Sequence, residues 1–296
     1  MKTDQSASPI VTVVVSCFNH QRYIEETLLS VLNQTYKNIE LLVFDDGSTD
    51  DSVSIIAALS KTHSFSFYPQ ANLGLSTTLN NALLLSKGKY FVPFGSDDVM
   101  FLDRIEKQVQ YMEDHPSSGV CGGNIIKIDE LGYGLTRQKS HPASVNDFYD
   151  IFLNTGIGLP APTLFFLSSS LKAVGGFSNE IQLEDLYIQL KLTQAGFTAD
   201  GLNDMLAYYR IHPDNNYKKL STMFENVLLT YAHFKEDPSY EKVIYAYHNK
   251  MLLRAAGPDK KLAWRIFCAI PYRHFNLKTL KGIRRFFCKG HFTKKS

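Results

Sequence analysis

The sequence has few cysteines, a single tryptophan and no long apolar run. Its four cysteines, Cys17, Cys121, Cys268 and Cys288, are scattered and form no C-x-x-C pair. This spacing disfavours a zinc site or a disulfide scaffold and fits a reducing cytoplasm. No apolar run approaches the roughly 20 residues of a membrane span, and the polar segment 1–9 lacks the apolar core of a signal peptide. The sequence therefore predicts a cytoplasmic protein that is not integral to a membrane.

Positive and negative charges balance overall but are unevenly distributed. The chain has 31 Lys+Arg and 29 Asp+Glu, yet residues 258–296 hold eleven of these bases and only one of the acids, Asp259. The rest of the chain is therefore acidic. This distribution disfavours a protein that binds nucleic acid along its whole length. It predicts a C-terminal tail that meets an anionic surface.

Strand-like and helix-like stretches alternate through the first half of the 296-residue chain. The predicted strands are Ile10–Val15, Ile39–Phe44, Phe65–Tyr68 and Tyr90–Phe94. The predicted helices are one capped by Asn19, then Asp50–Ser60, Ser76–Ser86 and Leu102–Glu113. This alternation predicts an α/β fold with a mostly parallel central sheet and helices on both faces. Functional groups should gather beyond the carboxyl ends of the strands.

The second half is less regular. The pattern predicts, in order, a loop at Gly156–Pro162, an apolar stretch at Thr163–Leu167, a helix at Glu184–Ala195 and a short strand at Tyr208–Ile211. Beyond these elements the pattern is helical. We place a boundary near Tyr217, which divides the chain into a domain of residues 1–217 and a helical extension of residues 218–296.

Two acidic turns directly follow predicted strands. In the turn Asp45–Asp50, carboxylates can accept hydrogen bonds from ribose hydroxyls or from the imino N–H of a pyrimidine, and the glycine allows close approach. In Gly95-Ser96-Asp97-Asp98, adjacent carboxylates suit Mg²⁺ or Mn²⁺. The alternative for each is a solvated acidic turn at a helix start.

Two further candidates lie in the second half. Glu184-Asp185 could supply a general base, although acids are common in a first helical turn. His212 could complete a metal shell or simply stack in a loop.

These motifs acquire meaning through their order. Read together, they resemble the family 2 glycosyltransferases with the GT-A fold, over roughly Pro9 to Asn215. The matching positions are Ser16-x-Phe18-Asn19, Asp45–Asp50, Asn72-Leu73-Gly74, Gly88-Lys89-Tyr90, Ser96-Asp97-Asp98, Glu184-Asp185 and His212.

The resemblance implies a role for each of these groups. It implies that the nucleotide sugar is bound by Phe18, Asn19, Asp45, Asp46, Asn72, Gly74, Ser96 and Asp97. It implies that Asp98 and His212 hold Mg²⁺ or Mn²⁺. It also implies that Asp185 is the catalytic base and that Glu184 supports it or contacts the acceptor. The loop Gly156–Pro162 would meet the acceptor. On this interpretation Asp46, Asp98, Asp185 and His212 converge around one diphosphate-bound ion.

The chain departs from the family pattern at two points. Family members often have Asp-x-Asp-Asp at the metal motif, where this chain has Gly95 in the first position. The Gln-x-x-Arg-Trp signature of processive synthases is absent after Asp185. The absence of this signature favours an enzyme that adds a single sugar. The resemblance implies that the transfer proceeds with inversion from a UDP- or dTDP-sugar, dTDP-rhamnose included. Its acceptor would be a hydroxyl of a bacterial surface glycan, such as a lipopolysaccharide core or a lipid-linked oligosaccharide.

The basic tail interleaves its charges with apolar residues between Lys260 and Lys295. The apolar residues are Leu262, Trp264, Ile266, Phe267, Phe275, Leu277, Leu280, Ile283, Phe286 and Phe287. This pattern predicts a helix at an anionic membrane interface, which would place the enzyme peripherally at the inner face of the cytoplasmic membrane. The alternative is a helix packed on the catalytic domain with a solvated basic face.

Two other functions remain open from the sequence. A nucleotidyltransferase also pairs a nucleotide-binding sheet with acidic ligands, but it usually carries a glycine-rich basic loop where this chain has Ser16–His20. A sugar-nucleotide-binding scaffold without turnover is supported only by Gly95. A dehydrogenase is weaker still, because no G-x-G-x-x-G follows the first strand.

Overall fold

The computed structural model describes residues 8–135, 140–213 and 220–287. Its strands are β1 Val11–Cys17, β2 Ile39–Asp46, β3 Ser66–Gln70, β4 Tyr90–Gly95, β5 Val99–Met100, β6 Ser118–Ile128, β7 Ser144–Asn146, β8 Phe165–Leu167 and β9 Thr198–Arg210. Its α-helices are α1 Ile24–Leu32, α2 Ser52–Thr62, α3 Leu75–Leu85, α4 Arg104–Asp114, α5 Phe148–Phe152, α6 Ser168–Ala173, α7 Glu184–Gln194, α8 Leu220–Ala232, α9 Tyr240–Ala255, α10 Lys260–Ala269 and α11 Leu277–Phe287. Short 3₁₀ helices lie at Ala161–Thr163 and Tyr272–His274.

The strands form one sheet in the order β3-β2-β1-β4-β8-β6-β9-β5, with β7 paired to β9. The half formed by β3, β2, β1 and β4 is parallel, as the alternation predicts. In the other half only β6 and β9 run parallel, and β8, β5 and β7 pair antiparallel. The predicted α/β fold with a mostly parallel central sheet is confirmed, and the antiparallel pairings involve only the short strands β5, β7 and β8.

Helices cover both faces of the sheet because β1 is apolar on both of its sides. Val11, Val13 and Val15 pack into one buried cluster with residues of α1, α2 and α4. Val14 packs into a second cluster with residues of α3, α6 and α7. Val and Ile suit such doubly buried strands, since their branched side chains pack well on the pleated surface. The expectation of helices on both faces is confirmed.

The prediction that Asn19 caps the first helix is wrong. The helix α1 begins at Ile24, and its N-cap is Tyr23, which makes no side-chain cap hydrogen bond. Asn19 instead adopts a left-handed conformation with φ of 56°. Its side-chain oxygen accepts a hydrogen bond from the backbone N–H of Thr49 at 2.8 Å. Asn19 therefore joins the turn after β1 to the turn after β2.

The chain divides into two compact units, Met1–Asp214 and Asn215–Ser296. The predicted boundary at Tyr217 lies outside the described residues. The second unit has its own apolar core, formed by α8, α9 and α10 around Phe224, Met251, Leu252 and Ile266. In the described parts of the chain, no helix combines the length and the apolar character that crossing a bilayer requires.

Candidate functional site

The carboxyl ends of β2, β1 and β4 lie side by side in the first unit. In the sheet register Cys17 is opposite Asp45, and Ser16 is opposite Gly95. The turns that follow these three strands therefore meet at one edge of the sheet, where ligands bind in open α/β folds. Phe18 lies in the first of these turns with 47% of its surface exposed.

The Asp46 carboxylate is hydrogen-bonded to the end of β3 and to the segment that follows it. Its carboxylate accepts hydrogen bonds from Gln70 Nε2 at 2.8 Å, from the backbone N–H groups of Leu73 and Gly74 at 2.8 and 2.9 Å, and from Thr78 Oγ1 at 3.4 Å. These bonds fix the segment that contains the exposed Asn72. Asp46 thus holds the conformation of the predicted nucleotide-binding loop through hydrogen bonds. Its own contact with a nucleotide stays a prediction.

Asp45 is buried and only half satisfied. Its Oδ1 accepts a hydrogen bond from the backbone N–H of Ser48 at 2.9 Å. Its Oδ2 is also buried, and no hydrogen-bond donor in the described part of the chain reaches it. A buried carboxylate oxygen without a donor carries a desolvation cost that nothing in the described part of the chain offsets.

Three potential metal ligands converge beside these turns. His20, Asp97 and His212 each offer a ligand atom, and these atoms lie within 4.8 Å of one another. His212 Nε2 is 2.9 Å from Asp97 Oδ2, and the rings of the two histidines meet edge to face at 5.5 Å. His20 Nδ1 lies 2.7 Å from the hydroxyl of Ser96, which fixes the ring.

Asp98 is not a member of this cluster of potential ligands. Its Oδ1 accepts a hydrogen bond from the backbone N–H of Arg210 at 2.9 Å. Burial, followed by the charge of Asp97, raises the pKa of Asp98 well above its ordinary value. Asp97 and not Asp98 belongs to the cluster of potential ligands, and the ligand role of Asp98 stays a prediction.

The buried Arg210 guanidinium positions the residues around His212. Its Nη2 donates to Glu26 Oε2 at 2.6 Å, and its Nε donates to the backbone oxygen of Asp97 at 2.8 Å. The guanidinium also lies over the ring of Tyr23 at 4.9 Å. The end of β9 is thereby fixed to α1 and to the turn after β4, and His212 follows two residues later.

A cavity of about 270 Å³ opens beside the histidines. It is lined by Asn19, His20, Gln21, Arg22, Tyr23, Asp50, Glu130, His212 and Pro213. Arg22 is the cationic residue in this lining, and Arg side chains bind phosphate oxygens well. The lining also carries the carboxylates of Asp50 and Glu130, so the cavity places one arginine and two acids beside the histidines.

Glu184 and Asp185 lie half-buried in the first turn of α7. Burial raises the pKa of both carboxyls, and the charge of Asp185 adds to the effect on Glu184. Asp185 Oδ1 accepts a hydrogen bond from the backbone N–H of Leu186 at 2.8 Å. Raised carboxyl pKa values are typical of groups that exchange protons in catalysis. The assignment of Asp185 as base stays a prediction, as does the acceptor role of Gly156–Pro162.

His20, Tyr23 and Arg210 are parts of the site that the sequence does not predict. His20 directly follows Ser16-x-Phe18-Asn19, and Arg210 comes two residues before His212. Their positions beside these motifs are the only feature of the sequence that points to a role in the site. The approach of His20 to His212 depends on the register of β9 and could not be derived from spacing along the chain.

The fold is the GT-A fold of glycosyltransferases. The structure matches a crystal structure of S. aureus TarS 1–349 in complex with UDP-GlcNAc, with a TM-score of 0.65 and 17% identity over 93% of this chain and 89% of that one. It also matches the mannosyltransferase PcManGT from Pyrobaculum calidifontis, in complex with GDP-Man and Mn²⁺, with a TM-score of 0.62 and 19% identity over 94% and 86% of the two chains. At these identities the likeness shows the fold.

The sequence comparison gives the family. The model of Glycosyl transferase family 2 matches residues 12–171, more than half of the 296 residues, and the chain belongs to this family.

Two relatives have more specific names. TuaG of Bacillus subtilis (strain 168), provisionally named a teichuronic acid biosynthesis glycosyltransferase, is 30% identical over 69% of this chain and 79% of its own length. WfaP of Escherichia coli, a UDP-Glc:α-D-GlcNAc-diphosphoundecaprenol β-1,3-glucosyltransferase, is 27% identical over 71% and 82%.

Proposed function

We propose that this family 2 glycosyltransferase transfers one sugar, with inversion, from a UDP- or dTDP-sugar to a hydroxyl of a bacterial surface glycan. The observation that carries the proposal is the convergence of His20, Asp97 and His212 beside the carboxyl ends of the parallel strands. A nucleoside diphosphate needs its charge neutralised at such an edge, and this cluster is suited to hold the ion that does so.

The donor set fits a divalent metal. Neighbouring ligands around an ion with bonds of about 2.1 Å lie about 3 Å apart, and His212 Nε2 and Asp97 Oδ2 are 2.9 Å apart. Metal-bound histidines commonly use one ring nitrogen for the ion and the other for a hydrogen bond, as His20 Nδ1 does with Ser96. Two imidazoles and one carboxylate favour Mn²⁺ over the harder Mg²⁺. The Mn²⁺ in the PcManGT complex supports this choice.

The buried Oδ2 of Asp45 recognises the nucleoside. A uracil or thymine base offers an imino N–H, and the ribose offers hydroxyls, which are the donors that this oxygen lacks. The UDP-GlcNAc complex of TarS supports a uridine donor.

The chemical step is a direct displacement at the anomeric carbon. Asp185 takes the proton of the acceptor hydroxyl, the acceptor oxygen bonds to the anomeric carbon, and the bond from that carbon to the diphosphate oxygen breaks. The raised pKa of Asp185 makes it a stronger base than an exposed aspartate. Arg22, an exposed residue of the cavity lining, supplies a cation for the phosphates. When bound, the metal would neutralise charge on the departing diphosphate.

The relatives support a surface-glycan acceptor. The names of TuaG and WfaP refer to teichuronic acid biosynthesis and to a lipid-diphosphate-linked GlcNAc. We take the acceptor of this chain to be a lipid-linked or lipopolysaccharide-type glycan, presented at the inner face of the cytoplasmic membrane.

The test is a donor screen followed by a turnover assay. Thermal shifts with UDP-Glc, UDP-GlcNAc, dTDP-rhamnose and GDP-Man, each with Mn²⁺, should show stabilisation by a uridine or thymidine donor, because a ligand stabilises the state that binds it. With a polyprenyl-diphosphate-linked GlcNAc acceptor or a lipopolysaccharide core, nucleoside diphosphate should be released.

The variant Asp185→Asn separates catalysis from binding in this assay. It should retain the donor-dependent thermal shift and lose turnover. Release of pyrophosphate would instead indicate a nucleotidyltransferase. Binding of a donor without turnover on any acceptor would indicate a scaffold.

A further inference from the structure

The C-terminal helix α11 packs within the second unit through its smallest residues. Thr279 and Gly282 form its buried face. Thr279 Oγ1 donates to Asn249 Oδ1 on α9. A Cβ added to Gly282 would lie 2.9 Å from Leu252 Cγ, so the glycine permits the close approach of α11 to α9. The packing of α11 therefore uses little of its apolar surface.

Three of the five large apolar side chains of α11 are exposed, whereas Ile283 and Phe286 are partly buried. Leu277, Leu280 and Phe287 are exposed by 73%, 60% and 73%. Trp264 of α10 is exposed by 55%, and its ring lies 6.2 Å from the ring of Phe286. A soluble helix normally buries such residues, so an apolar face of this kind indicates a partner.

The bases next to this face are not neutralised by the protein. In the described part of the second unit, Arg265 and Arg273 pair with Glu225 and Glu241, whereas the exposed Lys278, Lys281 and Arg284 make no ion pair. The charge of Lys278 also affects a neighbouring base. The pKa of Lys250 is lowered first by burial and then by the positive charges of Lys278 and Arg254.

We propose that α11, together with Trp264, binds the surface of an anionic bilayer. Leu277, Leu280 and Phe287 enter the boundary between headgroups and acyl chains, and Lys278, Lys281 and Arg284 contact lipid phosphates. Charge complementarity selects this partner over a second copy of the chain, because two copies meeting through this face would bring like charges together. The inference gives a surface for the membrane location in the proposed function, but it does not require sugar transfer.

The test is partition of the full chain onto vesicles. Vesicles of phosphatidylcholine alone are compared with vesicles containing 30% phosphatidylglycerol at low ionic strength. We expect binding to the anionic vesicles only, weakened by salt. The triple variant Lys278→Gln, Lys281→Gln, Arg284→Gln should lower the partition coefficient about a hundred-fold. The variant Leu280→Asp should lower it about ten-fold or more.

Matched controls lie elsewhere on the surface. Leu84 is 84% exposed on α3, and Lys61, Lys172 and Lys242 are exposed bases outside α11. The variant Leu84→Asp and the triple variant Lys61→Gln, Lys172→Gln, Lys242→Gln should partition as the wild type does. Circular dichroism verifies folding, and donor-dependent thermal shifts verify that the site is intact in every variant.

Three outcomes would overturn the inference. They are equal binding to both vesicle types, no binding to either, or wild-type partition of Leu280→Asp. A dimer that Leu280→Asp converts to a monomer, with unchanged lipid binding, would assign the face to a second copy. Failure of the proposed sugar transfer would appear instead in nucleotide release, with vesicle partition unaffected.

Discussion

Asp46 accepts four hydrogen bonds from the end of β3, the loop after it and α3, whereas Asp45 keeps one buried oxygen that no donor in the described residues reaches. The two carboxylates are adjacent on β2, so alternating side-chain directions give them different surroundings. We therefore assign Asp45 to direct recognition of the nucleoside and Asp46 to support of the loop.

Substitution of these two residues should give opposite results. The variant Asp45→Asn should weaken UDP binding about ten-fold or more, because an amide can place a donor against the imino N–H of the base. The variant Asp46→Asn should mainly reduce the free energy of unfolding, by about 1–3 kcal/mol, since it disturbs hydrogen bonds from backbone N–H groups. Calorimetric titration and urea denaturation measure the two effects. The reverse pattern would contradict the assignment.

The pH dependence of turnover tests Asp185. Burial raises the pKa of this carboxyl, and a base must be ionised to accept a proton. Activity should therefore be lost as the pH falls through the raised pKa, above the ordinary aspartate value of about 3.9. The measurement is kcat/KM against pH, with donor binding to Asp185→Asn as the control. If donor binding to Asp185→Asn were lost over the same acidic pH range as kcat/KM of the wild type, the titration would belong to groups other than Asp185.

The sequence predicts the types of residue at the site better than their individual roles. Asp97 and Asp98 are neighbours in one motif, and only the observed contacts show that Asp97 joins His212 while Asp98 holds the backbone of Arg210. The sequence around an isolated loop histidine such as His20 does not indicate whether the side chain binds a metal, a substrate or another part of the chain. Its role becomes visible only when the end of β9 is positioned beside it.

At the scale of elements, the end of β4 shows what a side chain at position 95 would meet. A Cβ at Gly95 would lie 2.9 Å from Asp97 Oδ1 and 3.2 Å from Asp98 Oδ2. A third carboxylate at this position would crowd the two that are present and repel them. A side chain at this position would therefore displace the carboxylates of Asp97 and Asp98.

Restoring the family aspartate should weaken the metal site. We expect Gly95→Asp to lower the Mn²⁺ affinity about five-fold, because Asp97 must shift away from His212. The variant Gly95→Ala adds the same Cβ without the charge and should lower the affinity by less. Mn²⁺ titration followed by electron paramagnetic resonance measures both. Tighter binding by Gly95→Asp would show that the added carboxylate serves as a ligand.

The elements of the second half show where the sequence pattern fails. β6 was not predicted, because Gly122 and Gly123 interrupt its apolar run. β9 begins at Thr198, ten residues before the predicted start at Tyr208. The prediction starts too late because the alternation of apolar and polar residues is interrupted by Asp200, Gly201, Asn203 and Asp204. Pairing with β6 and β7 overrides these weak local preferences. The strands of the parallel half have no such interruptions, and their predicted bounds are close to those observed.

For the whole molecule, the two units have separate cores. The two clusters around the sheet lie within Met1–Asp214, and the third lies within Asn215–Ser296. All predicted site residues belong to the first unit.

A chain that ends at Asp214 should therefore fold and bind the donor. We expect cooperative unfolding and a thermal shift with UDP-sugar and Mn²⁺ similar to that of the full chain. The fragment should not bind anionic vesicles. An unfolded fragment would contradict the division into independent units.

The central claim is that His20, Asp97 and His212 hold one ion for the nucleotide sugar. Electron spin-echo modulation of bound Mn²⁺ reports its nitrogen ligands directly. We expect two imidazole nitrogens in the wild type and one in each of the variants His20→Gln and His212→Gln. Bound Mn²⁺ without nitrogen coupling in the wild type would contradict it.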